Sequence, residues 1–148
     1  MLPAKMVQFL EEHASEISKL ILERVRADNR FTVLTGRGDE LLERLERTCS
    51  HFGDWLTDPD EARMANEYGP IARERSRQGV PLAEIVLLAQ LFKRTVVGYA
   101  RQHAMADSGY ALLAEEELEH LVNGFFEALL YIMVREYEAE TRVREARV

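Results

Sequence analysis

A single cysteine, Cys49, stands in the whole chain, so no intramolecular disulfide can form and the fold must hold without covalent staples. A lone thiol also fits a reducing compartment. No apolar run approaches the length a bilayer requires. The opening MLPAKMVQFLEEH turns acidic where a signal peptide would need an apolar core. These shortages lead us to expect a cytoplasmic protein. Basic residues are the minority: 19 Lys and Arg against 26 Asp and Glu give a formal net charge of −7, which repels phosphate backbones. Nucleic acid is accordingly a poor partner. Proline is scarce, and no repeat, low-complexity tract or Pro/Ser linker divides the chain. Its 148 residues therefore read as one domain, long enough to bury its own core.

What remains is helical periodicity throughout. From Ala4 to about Asp28, Met6, Phe9, Leu10, Ile17, Leu20, Ile21 and Val25 recur at helical spacing, with charges on the other side. Asn29 to Asp39, containing Gly36-Arg37-Gly38, reads as a connector. A second helix follows from about Asp39 to Leu56, with Leu41, Leu45, Cys49, Phe52 and Leu56 on one face. Asp58-Pro59-Asp60-Glu61 is the clearest boundary: an Asp able to cap, a Pro suited to the first helical position, and a Glu three residues after the cap. The third helix runs to about Gln78, with Gly69-Pro70 expected to kink or split it and Gly79 expected to end it.

The stretch from Leu82 to Phe92 is apolar on nearly every side, interrupted only by Glu84 and Gln90, so it must lie at the centre. One stripe runs through Leu82, Ile85, Val86, Ala89, Phe92, Val96 and Tyr99. A second runs through Leu87, Leu91, Thr95 and Gly98. This helix extends toward Met105 and the turn Asp107-Ser108-Gly109. The last helix, from about Tyr110, carries a broad apolar face through Leu118, Leu121, Val122, Phe125, Leu129, Ile132 and Met133. It then turns to alternating charge after Tyr137. The expectation is an all-α, up-and-down bundle of about five helices. Its long C-terminal helix would project from the domain, with 138–148 as the start of a helical linker.

Chemistry is sparse. Glu117 and His120 have the spacing of a di-iron Glu-x-x-His pair, but no second pair exists, so no metal is expected. Cys49 and His51 do not face each other on a helix, and Cys49 sits on the apolar stripe, where it reads as a small buried hydrophobe. Arg63, Arg73, Arg75 and Arg77 read as a solvated face, or else as a site for an acidic partner. No paired carboxylates, activated nucleophile or phosphate loop is present, and no enzymatic activity or cofactor is expected. Trp55, Tyr68, Phe92, Tyr99 and His103 are the candidates to line a small-ligand pocket, with plain core packing as the alternative. Leu87 and Leu91, with Leu118, Phe125, Leu129 and Ile132 of the last helix, are the candidates for a homodimer and signal-transmitting surface. Charged residues at Phe125 and Leu129 are on this reading expected to abolish dimerisation. A haem- or small-ligand-binding, globin-like protein using His103 is the alternative.

Arg73-x-Arg75, Gly79-Val80-Pro81-Leu82-x-Glu84 and the long apolar helix carrying Lys93-Arg94, with Trp55-Leu56 upstream, resemble the N-terminal sensor domain of RsbT co-antagonist proteins of the RsbRD type. Related domains precede histidine kinase and other bacterial output modules. Pro81 replaces the Ser or Thr expected to cap the central helix. The resemblance implies a cytoplasmic, dimeric, non-catalytic input domain for bacterial signal transduction and stress response. It would pass a conformational signal to an output domain or partner protein.

Overall fold

The computed structural model describes residues 2–58, 60–103 and 109–147, with side chains for 4–58, 60–103 and 115–147. Among these the chain is all-α, with no strand. Seven helices form rather than five: α1 (Leu2–Glu12), α2 (Ala14–Ala27), α3 (Gly38–Ser50), α4 (Phe52–Thr57), α5 (Glu61–Arg77), α6 (Leu82–His103) and α7 (Gly109–Ala146), with a 3-10 turn at Leu34–Arg37.

Histidines account for the two extra breaks. His13 interrupts the expected first helix and His51 the second. In each case ring Nδ1 donates to the carbonyl oxygen four residues back, Phe9 at 2.8 Å and Arg47 at 2.9 Å. A ring that binds this carbonyl competes with the helical ladder and bends the backbone there. The His103 ring likewise donates to the Tyr99 carbonyl, at 2.9 Å.

The third helix begins one cap later than the sequence implies. Asp60, not Asp58, accepts from the N–H groups of Ala62 and Arg63, while Asp58 closes α4. Pro59 lies outside the described residues, as do Met105, Asp107 and Ser108 of the expected turn after α6; Gly109 opens α7. Pro70 does not split α5, which is continuous from Glu61 to Arg77. Gly79 follows with φ of +76°, a left-handed conformation that glycine adopts without a Cβ penalty, and it turns the chain into α6.

The core is built on aromatic rings. Phe52, Trp55, Tyr68, Phe92, Phe125 and Phe126 form one connected block, with centroids 4.9 Å apart for Phe92–Phe126 and 6.1 Å for Phe52–Phe125. Ring pairs at these separations add to the burial of their large apolar surfaces. Helix α6 packs against both α7 and α2 but does not lie at the centre as expected: Leu82, Val86, Leu87, Leu88, Ala89 and Leu91 stay half-buried, and α7 is the helix on which α1, α4, α5 and α6 all pack.

Glu84 is the exception in that apolar helix, and it fixes the connector. Its buried carboxylate accepts from the backbone N–H of Thr32, Val33 and Leu34 and from the Thr32 hydroxyl, at 2.9–3.3 Å. Three successive N–H groups converging on one anion make a nest that satisfies the start of the 3-10 turn.

The end of α7 does not project freely. Helix α5 runs alongside it: Arg73 pairs with Glu136 at 3.2 Å, Arg77 with Glu140 at 3.0 Å, and the Ser76 hydroxyl bonds that of Thr141 at 3.0 Å. Arg144 donates to the Ser76 carbonyl. The expected linker at 138–148 is therefore seated on α5 at least as far as Arg144. Of the arginines expected to form a solvated face, Arg73 and Arg77 are tied to Glu136 and Glu140, one turn apart on α7, and Arg75 is buried against Glu40 of α3, while Arg63 and Arg77 remain exposed.

Candidate functional site

Two adjoining spaces lie between α3 and α5. The inner one is an apolar cavity of about 80 Å³, walled by Leu41, Leu45, Ile85, Leu88, Phe92, Leu129 and Met133 among others. The outer one is a polar basin of about 200 Å³ lined by Glu40, Arg44, Arg47, Glu67, Glu74 and Arg75. Arg44, Ile71 and Arg75 border both spaces, so the apolar cavity and the charged basin adjoin, and we call the pair the slot.

Polar ties hold the slot's walls together. Arg75, only 4 % exposed, donates from Nη1 to Glu40 Oε1 at 2.7 Å and to Gln78 at 3.0 Å. Arg47 pairs with Glu67 at 3.0 Å. The hydroxyls of Thr48 and Tyr68 bond each other at 3.0 Å. A buried guanidinium without its carboxylate would be costly, so the Arg75–Glu40 pair is the firmest of these ties.

Its pH dependence has a definite sign. The Arg75 hydrogen bond holds the Glu40 carboxyl below its ordinary pKa of 4.5, against a smaller opposing push from burial. A carboxyl depressed in the folded state stabilises it fully above the ordinary carboxylate range, and that contribution fades as pH falls through the depressed value. Urea midpoints measured from neutral pH down to about pH 3 should thus fall more steeply for the native chain than for Glu40→Gln. Parallel curves would remove Glu40 as the titrating tie.

The five residues expected to line a pocket divide into two groups. Tyr68 and Phe92 wall the slot, while Trp55 lies tilted against Tyr68 at 5.3 Å, carries Arg63 over its face at 4.4 Å, and with Tyr68 lines a second, open pocket of about 400 Å³ between α3, α4 and α5. Tyr99 and His103 stand in a separate cluster with Phe9 and His13. There, the Tyr99 and His103 rings lie 4.1 Å apart and the Tyr99 hydroxyl donates to Glu16 at 2.5 Å. Burial, aided by Glu16, pushes the Tyr99 hydroxyl up to about 12. His103 does not line the slot. Tyr68, desolvated by burial, is likewise raised to about 12.

The residues expected at a dimer surface are corrected by their burial. Leu118, Phe125, Leu129 and Ile132 are at most 6 % exposed and belong to the chain's own core, so none can reach a second copy. Leu87 and Leu91 are half-buried and pack against that core. Among the described residues the most exposed large apolar side chains are Tyr131, 59 % exposed, and Val143 on α7, and beside Tyr131 in sequence Leu130 and Val134 are half-buried, as is Val86 on α6, none of these three packing against the core cluster.

The sequence places Arg75 inward or lateral with Tyr68 and Ala72, at steps of four and three, but gives no sign of its pairing with Glu40 or of the part Glu84 plays. Cys49 is buried as its stripe position implies, and desolvation pushes its thiol up to about 12, where it is chemically quiet.

Among the described residues no cluster of three or more His, Cys, Asp or Glu is placed to hold a metal, and no helix is long and apolar enough to cross a membrane. Comparison with protein-family models, curated proteins and solved structures finds no match.

Proposed function

We propose that the chain is a non-catalytic input domain for bacterial signal transduction, of the kind its resemblance to RsbRD-type sensor domains implies. It pairs with a second copy and relays a packing change around α6 to an output module through α7. One observation carries this reading: Leu129 and Met133 wall the slot on the same helix whose later turns are tied to α5 by ion pairs and hydroxyl contacts, on either side of Tyr137, which packs on the core and donates to the Val80 carbonyl at 2.6 Å. Side-chain ion pairs and hydroxyl contacts of this type exchange partners at small cost, whereas a close-packed apolar seam resists displacement. A change of occupancy in the slot pushes on Leu129 and Met133, and the tail from Glu136 onward can respond by shifting its pairing with Arg73 and Arg77. Pairing of two copies is assigned to the apolar strip Val86, Leu130, Tyr131 and Val134, of which Tyr131 is exposed and the other three are half-buried outside the core cluster.

Hydrogen exchange on the full chain tests the relay. Ala89 borders the cavity, and Ala89→Leu fills it without disfavouring the helix. The variant should change amide protection over 136–146 as well as around 85–92. A change confined to 85–92 would defeat the relay.

A further inference from the structure

The polar fittings of the slot's rim are uneven. Of the arginines lining the basin, Arg75 is bonded to Glu40 and Arg47 to Glu67, and the basin's third carboxylate, Glu74, is taken by Arg77 at 2.9 Å. Arg44 makes no ion pair among the described residues, although it borders both the basin and the cavity. One exposed guanidinium, near enough to Glu40 to help hold that carboxyl down but bonded to no carboxylate among the described residues, therefore stands at the mouth of the apolar cavity. Below it, no buried side-chain nitrogen or oxygen of the described residues lacks a hydrogen-bond partner, and the Thr48 and Tyr68 hydroxyls are satisfied by each other.

We propose that this slot binds a short-chain monocarboxylate, with the carboxylate on Arg44 and the alkyl chain in the cavity against Phe92, Leu129 and Met133. The chemistry of each end sets the ligand. A cavity without unsatisfied polar atoms rewards only apolar atoms, since a polar group placed there would lose its water and gain no partner. A guanidinium fork matches a carboxylate in two parallel hydrogen bonds. The charge is single because Glu40, Glu67 and Glu74 crowd the same rim, where a dianionic head would meet three carboxylates and one free cation. Size sets the tail: about 80 Å³ is far below the roughly 300 Å³ at which pockets for drug-sized ligands begin. A tail of a few carbons fits; a long acyl chain does not.

The ligand's signalling role rests on the relay reading above, but its binding does not. Isothermal titration of the full chain with butanoate, hexanoate and octanoate, and with hexan-1-ol and hexyl phosphate as controls, reads the binding directly. Hexanoate should bind in preference to both controls. Arg44→Ala, at an exposed position, should weaken it about tenfold while leaving the melting curve in place, and Ala89→Leu should abolish it. Absence of heat from all three acids overturns the site. So does an unchanged affinity in Arg44→Ala, equal binding of hexan-1-ol, or tighter binding of hexyl phosphate. Hexanoate that binds yet leaves exchange over 136–146 unaltered would keep the site and defeat the relay. A relay response in Ala89→Leu without any acid binding would do the reverse.

Discussion

Glu84→Ala is expected to destabilise the fold by about 3–5 kcal/mol, a large share of the roughly 5–15 kcal/mol that holds a domain of this kind together. The carboxylate receives three backbone N–H groups and a hydroxyl. Hydrogen bonds to a charged acceptor contribute about 1.5–3 kcal/mol each, and buried donors left without a partner cost about 1–3 kcal/mol each. Thr32 is exposed and Val33 half-buried, so water can reach part of the connector, which places the total near the lower end of that sum. Glu84→Gln keeps one acceptor oxygen of the same shape and should cost about 1–2 kcal/mol. Urea unfolding gives both values, and hydrogen exchange over 31–34 localises them. A loss under about 1 kcal/mol for Glu84→Ala would mean that the connector is held by other contacts.

The second large effect separates the core face of α7 from its open face. Phe125 is 1 % exposed and meets Phe52, Trp55, Tyr68 and Phe126. Phe125→Ala should cost about 3–5 kcal/mol through lost transfer energy and the cavity left behind. A charged residue there should prevent folding outright, so its effect on self-association would carry no information about an interface. Tyr131→Glu should instead leave stability within about 0.5 kcal/mol, because the ring is exposed and only Arg135, at 5.5 Å over its face, makes a surface cation–π contact with it. If two copies pair through the Val86, Leu130, Tyr131 and Val134 strip, the same change converts dimer to monomer in sedimentation analysis. A dimer that survives Tyr131→Glu and Val134→Glu together would place the interface on another surface.

Helical periodicity in the sequence determined the all-α class and the apolar face of α7, because amphipathic spacing is a property of neighbours three and four residues apart. It put the wrong helix at the centre, however: α7 packs against α1, α4, α5 and α6, and between Leu82 and Phe92 only Glu84, Ile85 and Phe92 are buried. The breaks at His13 and His51 were not legible. Each residue falls in an unbroken helical pattern, and the interruption comes from a ring that captures a backbone carbonyl. Glu84 and Arg75 stood out as charges near apolar positions, but their partners lie 50 and 35 residues away in the chain. No local pattern can supply a long-range partner. Two of the five expected pocket residues were likewise undecidable from spacing: Tyr99 and His103 share α6 with Phe92, yet two and three turns of helix carry them to a different cluster with Phe9 and His13. Which apolar residues stay open to a second copy was also decided only in three dimensions. Phe125 and Tyr131 read alike as large apolar residues on one helix, and the packing of α5 and α6 on α7 buries the first and leaves the second in water.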